Sequence, residues 1–521
     1  MEDVFQCVFQ GALGLFALGL GLVAYEVLRA SLLRGVRIRL ERSVSRYLRR
    51  HQVRLDRFKF TQKHYIRESL LADVSLNEFM TQRARSEGLP VTELVLRADE
   101  YIAEIVPQFN LVSYYKFGYG LARPLMRLLY SVEFSPANLK AREAALREDV
   151  ATVYVMNHRS NADYVLFAVC MSKRVALSYA VGEWARVWPL EVLFKSFGSY
   201  FVRRGEKDPL YHKVLERYIQ LVSRGGLTQG IFIEGGLSRD GRFRQPKVGL
   251  IDSLLGVTEG GGDVQFVPVG LNFDRVLEDR SLLGEAEGVA RERAASSKLR
   301  SLWWVVVTLP KAAVGRVLGM VMGVWRVARK RSVGFGVAAV HAGAPVSLRA
   351  ELAGELEELR AMPRKERRAR LEEFAGTLMD RIGAQVPVTS VPLACRALLD
   401  AGAVDGTSET RIRLRITELL TSLRARGAPI LLGPAFSDLQ SERRALEDEA
   451  SGSGRPLLDL TADLLSGDEA QRVWEIARAM LRPRGVFDES REGVRLLPAQ
   501  LPLVGYYSAS LDGHGLEPTV L

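Results

Sequence analysis

The stretch Tyr154-Val-Met-Asn-His-Arg-Ser-Asn-Ala-Asp-Tyr164 holds the residue types that proton transfer needs. A β-branched apolar run ends near Met156, and Ser160 or Asn161 can cap a helix that follows. His158 then falls in the strand-to-helix loop and Asp163 in the first helical turn, five residues later. A carboxylate there can reach back to the imidazole. If it holds one ring nitrogen, the other is free to take a proton from an alcohol. The same letters also read as a capping box, Ser160-x-x-Asp163, in which Asp163 serves only the helix end and His158 is a satisfied loop histidine.

Three further stretches carry candidate ligand-binding groups. In Gly198-Ser-Tyr-Phe-Val-Arg-Arg-Gly205 a short strand ends in Arg203 and Arg204, whose planar forks suit a phosphate. The plainer reading is a surface pair satisfied by Glu206 or Asp208. In Ile231-Phe-Ile-Glu-Gly-Gly-Leu-Ser-Arg-Asp-Gly-Arg242 a strand runs into Glu234, Gly235 and Gly236, a turn whose amides can face an anion. Ser238 and Arg239 add donors there, and Lys247 follows Pro246. The alternative is a glycine turn with a solvated charge cluster. In Phe266-Val-Pro-Val-Gly-Leu-Asn-Phe-Asp-Arg275, Pro268 inside a β-like run marks a strand start or a bulge that shapes a site wall.

These stretches need a frame to hold them. The 521 residues are 47% hydrophobic and 26% charged, an ordinary globular balance that excludes collagen, low-complexity disorder and a polytopic membrane protein. Cys7, Cys170 and Cys395 are widely separated, which argues against a disulfide framework or a cysteine zinc site and for a reducing compartment. Residues 29–148 read as mostly helical, for example Leu76–Glu87, Arg97–Ile105 and Leu121–Tyr130. From Ala151 to about Val346, short apolar runs alternate with helical patterns, at Ala151–Met156, Val175–Val181, Ser199–Val202, Gly230–Ile233, Val264–Val269 and Gly334–Val340. That alternation predicts an α/β layer with a largely parallel sheet. Beyond Ser347 the chain reads as helical to about Arg482, ending in a Gly/Pro-containing tail of little periodicity. The expected divisions are 1–28, 29–148, 149–346 and 347–521, without internal repeats.

Val4–Tyr25 is 22 residues without a formal charge. It is long enough to cross a hydrocarbon core of about 30 Å, so residues 1–28 read as one N-terminal transmembrane helix; a buried core helix or interfacial hairpin is the other reading. The acidic Glu2 and Asp3 do not make a secretory leader. Arg29 to Glu68 holds thirteen Lys/Arg against three acidic residues, nearly the whole net charge of +11. This basic side is expected on the cytoplasmic face, against anionic membrane lipid. No zinc-finger or RNA-binding signature accompanies it, so nucleic acid is not an expected partner. Leu302–Trp325 is apolar but broken by Lys311 and Arg316, and reads either as core or as an interfacial segment.

The four stretches, in this order within about 115 residues, closely resemble the four blocks of the glycerophospholipid acyltransferase superfamily. Their wording is similar to that of the bacterial glycerol-3-phosphate acyltransferase branch and its dihydroxyacetone-phosphate relatives, over roughly residues 100–400. The resemblance implies an α/β acyltransferase domain between helical regions. It implies His158 as base with Asp163 as its partner. Arg203, Arg204, Glu234, Gly235, Ser238 and Arg239 match the acceptor-phosphate blocks, and Pro268 matches the acyl-donor block. The implied reaction moves an acyl group from acyl-CoA or acyl carrier protein to the sn-1 hydroxyl of glycerol 3-phosphate, giving lysophosphatidate at the inner (plasma) membrane, with no cofactor or metal. Leu237 stands where the family usually has arginine, which removes one cation from the expected phosphate site. Dihydroxyacetone phosphate or lysophosphatidate as acceptor, a thioesterase, and a non-catalytic membrane scaffold are the alternatives.

Overall fold

The computed structural model describes residues 63–109, 120–175, 177–182, 190–203, 205–286, 334–442, 459–490 and 493–517. The uncharged run 4–25, the basic cluster as far as residue 62, Arg204 and the apolar segment 302–325 lie outside the described residues. No described helix is long and apolar enough to cross a membrane.

The expected apolar runs form strands: β2 Ala151–Met156, β3 Ser178–Gly182, β4 Tyr200–Val202, β5 Gln229–Phe232, β6 Val264–Phe273 and β7 Val337–Ala342. Two more join them, β1 Ser131–Phe134 and β8 Val346–Ser347. The sheet order is β1-β7-β6-β2-β5-β3-β4, with β8 beside β6. From β6 to β4 every pair is parallel, while β7 and β8 run antiparallel to β6. The sheet is therefore mixed, with a parallel block that carries the loops of interest. Asp274, just past β6, fixes the reversal: its Oδ2 accepts the Val337 amide at 2.8 Å and its Oδ1 the Val391 amide at 2.9 Å. Burial pushes this carboxyl up to about 6.

Helices cover both faces, which explains why β2 and β6 are mostly apolar and buried throughout. On one face Val153 and Val155 meet α1 Lys63–Leu71, α2 Val74–Glu87, α3 Val91–Ile105 and the Pro209–Arg224 helix. On the other, Tyr154 and Met156 meet α4 Asp163–Met171. Naming the Pro209–Arg224 helix α5, the chain continues with α6 Arg364–Gly383 on the first face, and α7 Ser390–Asp400, α8 Glu409–Ala425, α9 Asp459–Leu481 and α10 Leu501–Ser508 on the second. Each fully buried Val or Leu in these layers contributes roughly 1.5–3 kcal/mol. The tail, expected to lack regular structure, carries an antiparallel pair, β9 Phe487–Ser490 with β10 Gly493–Leu496, and the buried α10. Tyr506 and Tyr507 give α10 enough apolar surface to dock.

Candidate active site

Strands β2, β3, β4 and β5 all end at one edge, the usual ligand side of a parallel sheet. A cleft of about 480 Å³ opens there. His158, Tyr164, Arg203, Gly235, Arg239 and Phe232 lie in its wall.

The loop after β2 is steered by Asn157. Its side chain donates to the Leu271 carbonyl at 2.9 Å and accepts the Leu271 amide at 2.8 Å, continuing the contact with β6 after β2 has ended. His158 follows, 2% exposed, its ring stacked on Phe232 at 4.0 Å between centroids and edge-on to Tyr164. Asp163 opens α4 and is fully buried. Its Oδ2 lies 2.9 Å from His158 Nδ1 and also accepts the Arg159 amide at 2.8 Å and the Ser160 amide at 3.0 Å. One oxygen thus holds both the imidazole and the two loop amides that follow it. A carboxylate acceptor places the proton on Nδ1, which leaves Nε2 as a lone-pair acceptor. No described residue bonds Nε2. The helix itself is capped differently from expectation: Ala162 is the cap, and Ser160 Oγ accepts the Ala162 amide at 3.0 Å.

Glu234 follows β5 and is buried. Its Oε1 accepts the His158 amide at 2.8 Å and its Oε2 the Arg244 amide at 2.9 Å. Burial, partly offset by those two amides, lifts the carboxyl to about 7. Glu234 therefore ties two loops together and does not face the cleft. Gly235 lines it with φ of +65°, and a Cβ there would approach the Lys247 side chain to 2.8 Å. Ser238 is buried, donates from Oγ to the Arg242 carbonyl at 2.7 Å and from its amide to the His158 carbonyl at 2.9 Å. Arg239 is half-exposed in the cleft wall and pairs with Glu285 at 3.1 Å.

Arg203 also lines the cleft, but its guanidinium is engaged. It makes a two-pronged bond with Glu104 at 2.8 and 2.6 Å and a third with Glu206 at 2.8 Å, between the rings of Tyr101 and Tyr211. Glu206 is the local partner expected of a surface arginine, and Glu104 reaches Arg203 from 99 residues away. These carboxylates hold the guanidinium more firmly protonated than usual. Lys247, already noted after Pro246, lines the cleft together with Arg244 and Arg364, two cations without a motif to mark them. Among the described residues no carboxylate pairs with Arg244 or Lys247. The density of Arg and Lys between Arg239 and Lys247 was the available signal.

Pro268 sits mid-sheet, beside Val155 of β2, and is not among the residues lining the cleft. Its missing N–H falls where β8 has ended and β7 begins, so no ladder bond is lost there. Leu237 turns away from any charge role and packs against the apolar core. Among the described residues no three His, Cys, Asp or Glu side chains gather as a metal-binding set.

Residues 124–272 match the acyltransferase family model, and residues 320–472 match the glycerol-3-phosphate acyltransferase C-terminal region. Both matched stretches are thus similar to acyltransferases of the glycerol-3-phosphate type. Relatives named glycerol-3-phosphate acyltransferase share this kinship. The one from Aeromonas hydrophila is 26% identical over 373 residues, covering 70% of this chain and 43% of its own length. That from Xylella fastidiosa strain 9a5c is 26% identical over 344 residues, 64% of this chain and 36% of its own. The chain thus spans less than half the length of these curated relatives. A solved 1-acyl-sn-glycerophosphate acyltransferase from Thermotoga maritima, 15% identical, covers 61% of this chain and 98% of its own at a TM-score of 0.26, too loose an overlay for comparing sites. The first match ends at residue 272 and the second begins at residue 320, so the His158 loop falls under one and helices α6 to α8 under the other.

Proposed function

We propose that the protein acylates the sn-1 hydroxyl of glycerol 3-phosphate, using acyl-CoA or acyl carrier protein as donor and releasing lysophosphatidate. The observation that carries the reading is His158 Nδ1 held 2.9 Å from Asp163, with the ring in the wall of a cleft lined by several cations. Nε2 takes the hydroxyl proton as the oxygen forms its bond to the thioester carbonyl carbon. The C–S bond then breaks, and the proton passes from Nε2 to the departing thiolate. Anchoring the phosphate presents the hydroxyl in place and turns an encounter into a positioned reaction.

The phosphate grip falls to Arg239, Arg244 and Lys247, supported by their position and by the lack of described carboxylates on the last two. Arg203 takes a bracing role, because two carboxylates already fill its fork. Arg204 enters on the family resemblance alone. An acyl-donor role for Pro268 has only that resemblance behind it as well. Attachment to the cytoplasmic face of the inner membrane is part of the proposal. It rests on the uncharged run 4–25 and the basic residues that follow.

An acyl-transfer assay on the purified full chain tests this, with glycerol 3-phosphate, dihydroxyacetone phosphate and lysophosphatidate each offered with both thioester donors. Preferential acylation of glycerol 3-phosphate is the expected result. Acylation of another acceptor only, or thioester loss to water that ignores the acceptor, contradicts it.

A further inference from the structure

We infer that Tyr506, on the C-terminal helix α10, is a positioning residue that sets the spacing between the His158 loop and the cation-bearing loop 238–247. This rests on the acyl-transfer reading for its kinetic consequence, but its structural content is independent of it.

Arg159 follows His158 directly and is buried, an uncommon place for a guanidinium. Its Nη2 donates to the Tyr506 carbonyl at 2.9 Å, and its guanidinium carbon lies 4.9 Å from the centre of the Tyr506 ring. The Tyr506 hydroxyl returns a bond to the Arg159 carbonyl at 3.3 Å. One residue, 347 positions away, therefore meets its partner through ring, hydroxyl and backbone.

The same Tyr506 carbonyl abuts the second loop. Gly241 sits there with φ of +84°, and a Cβ at that position would lie 1.9 Å from the Tyr506 oxygen. Only glycine allows that approach. The two loops also meet directly, through the Ser238 amide on the His158 carbonyl at 2.9 Å. Tyr506 is wedged against both. α10 is anchored in turn by its neighbour Tyr507, whose hydroxyl donates to Asp279 at 2.6 Å and accepts the Val276 amide at 3.0 Å. The wedge is thus seated on the sheet's own loops and cannot drift without breaking buried polar bonds.

The consequence is geometric. The imidazole and the cations must present base and phosphate at a fixed separation, and a shift of about 1 Å at a site of this kind costs on the order of 100-fold in rate. Losing the wedge should lower the rate of the chemical step more than it weakens donor binding.

The test compares Tyr506→Leu and Tyr506→Phe in the full chain. Tyr506→Leu should lower kcat by about 10-fold or more, with the thioester KM within about twofold. Both variants keep the backbone carbonyl, but Tyr506→Phe also keeps the ring over Arg159 and should restore kcat to within about threefold of wild type. Amide hydrogen exchange reads the wedge without activity. In Tyr506→Leu, the amides of His158, Ser238 and Arg244 should exchange about 10-fold faster, while those of β2 and β6 stay as in wild type. If wild type transfers no acyl group, the functional reading fails and the exchange result still decides the wedge. Unchanged exchange in both loops, acceleration spread evenly over the sheet, or an unaltered kcat in Tyr506→Leu of an active enzyme would each overturn the inference.

Discussion

Glu234 grips the backbone of His158. Its Oε1 accepts the His158 amide at 2.8 Å, and its other oxygen accepts the Arg244 amide at 2.9 Å. One buried carboxyl therefore joins the loop of the proposed base to the loop of the proposed phosphate cations. Burial raises it from 4.5 to about 7. Below about pH 4.5 it is protonated in both folded and unfolded chains, and its contribution to stability is fully present. As pH rises to about 7 the unfolded carboxyl ionises first, so stability falls by roughly 3 kcal/mol. Glu234→Gln removes this titration. Its thermal midpoint relative to wild type should rise between pH 5 and pH 8, although it is lower overall because an amide cannot accept both N–H groups. A midpoint difference that stays constant across that range would contradict the assignment.

Arg203 and Lys247 should behave differently. Lys247→Ala leaves no described carboxylate unpaired and should raise the acceptor KM by about 10-fold or more, with little change in donor KM. Arg203→Ala strips two carboxylates of their shared partner, so its main effect should be a lower thermal midpoint. Steady-state kinetics with both substrates varied, alongside thermal denaturation, separates the two. A larger acceptor KM effect in Arg203→Ala than in Lys247→Ala would return the phosphate to Arg203.

Leu237→Arg restores the residue usual in the family at a position that here packs against apolar side chains. Stability should fall by about 1–2 kcal/mol, and acceptor KM should not improve. Denaturant titration and acceptor kinetics check both. Tighter acceptor binding with unchanged stability would mean that the arginine can reach the cleft.

What was legible in the sequence follows the physics of each feature. Strand β2 matches its expected range, because a β-branched and aromatic run that stops at Asn157 fits a buried strand and little else. β6 runs four residues past its expected end, since Gly270 and Asn272 look like a turn until β7 pairs with them. β1 lies in a stretch expected to be mostly helical: Ser-Val-Glu-Phe is half-buried at an edge and carries a charge, so it shows no strand pattern. The antiparallel course of β7 could not be read, because strand direction is set by the path between strands. The His158–Asp163 pair was legible because both groups lie on one short loop. Glu104, 99 residues from Arg203, and Tyr506, 347 from Arg159, were not. Long-range partners leave no local pattern.

The proposed reaction turns on one imidazole acting as a base. The most direct measurement is the single-turnover rate of labelled acyl transfer to glycerol 3-phosphate by purified wild type and His158→Ala, with hydrogen exchange confirming that both are folded. A loss of about 100- to 10,000-fold is expected in the variant. Transfer within a fewfold of wild type by a folded His158→Ala would contradict it.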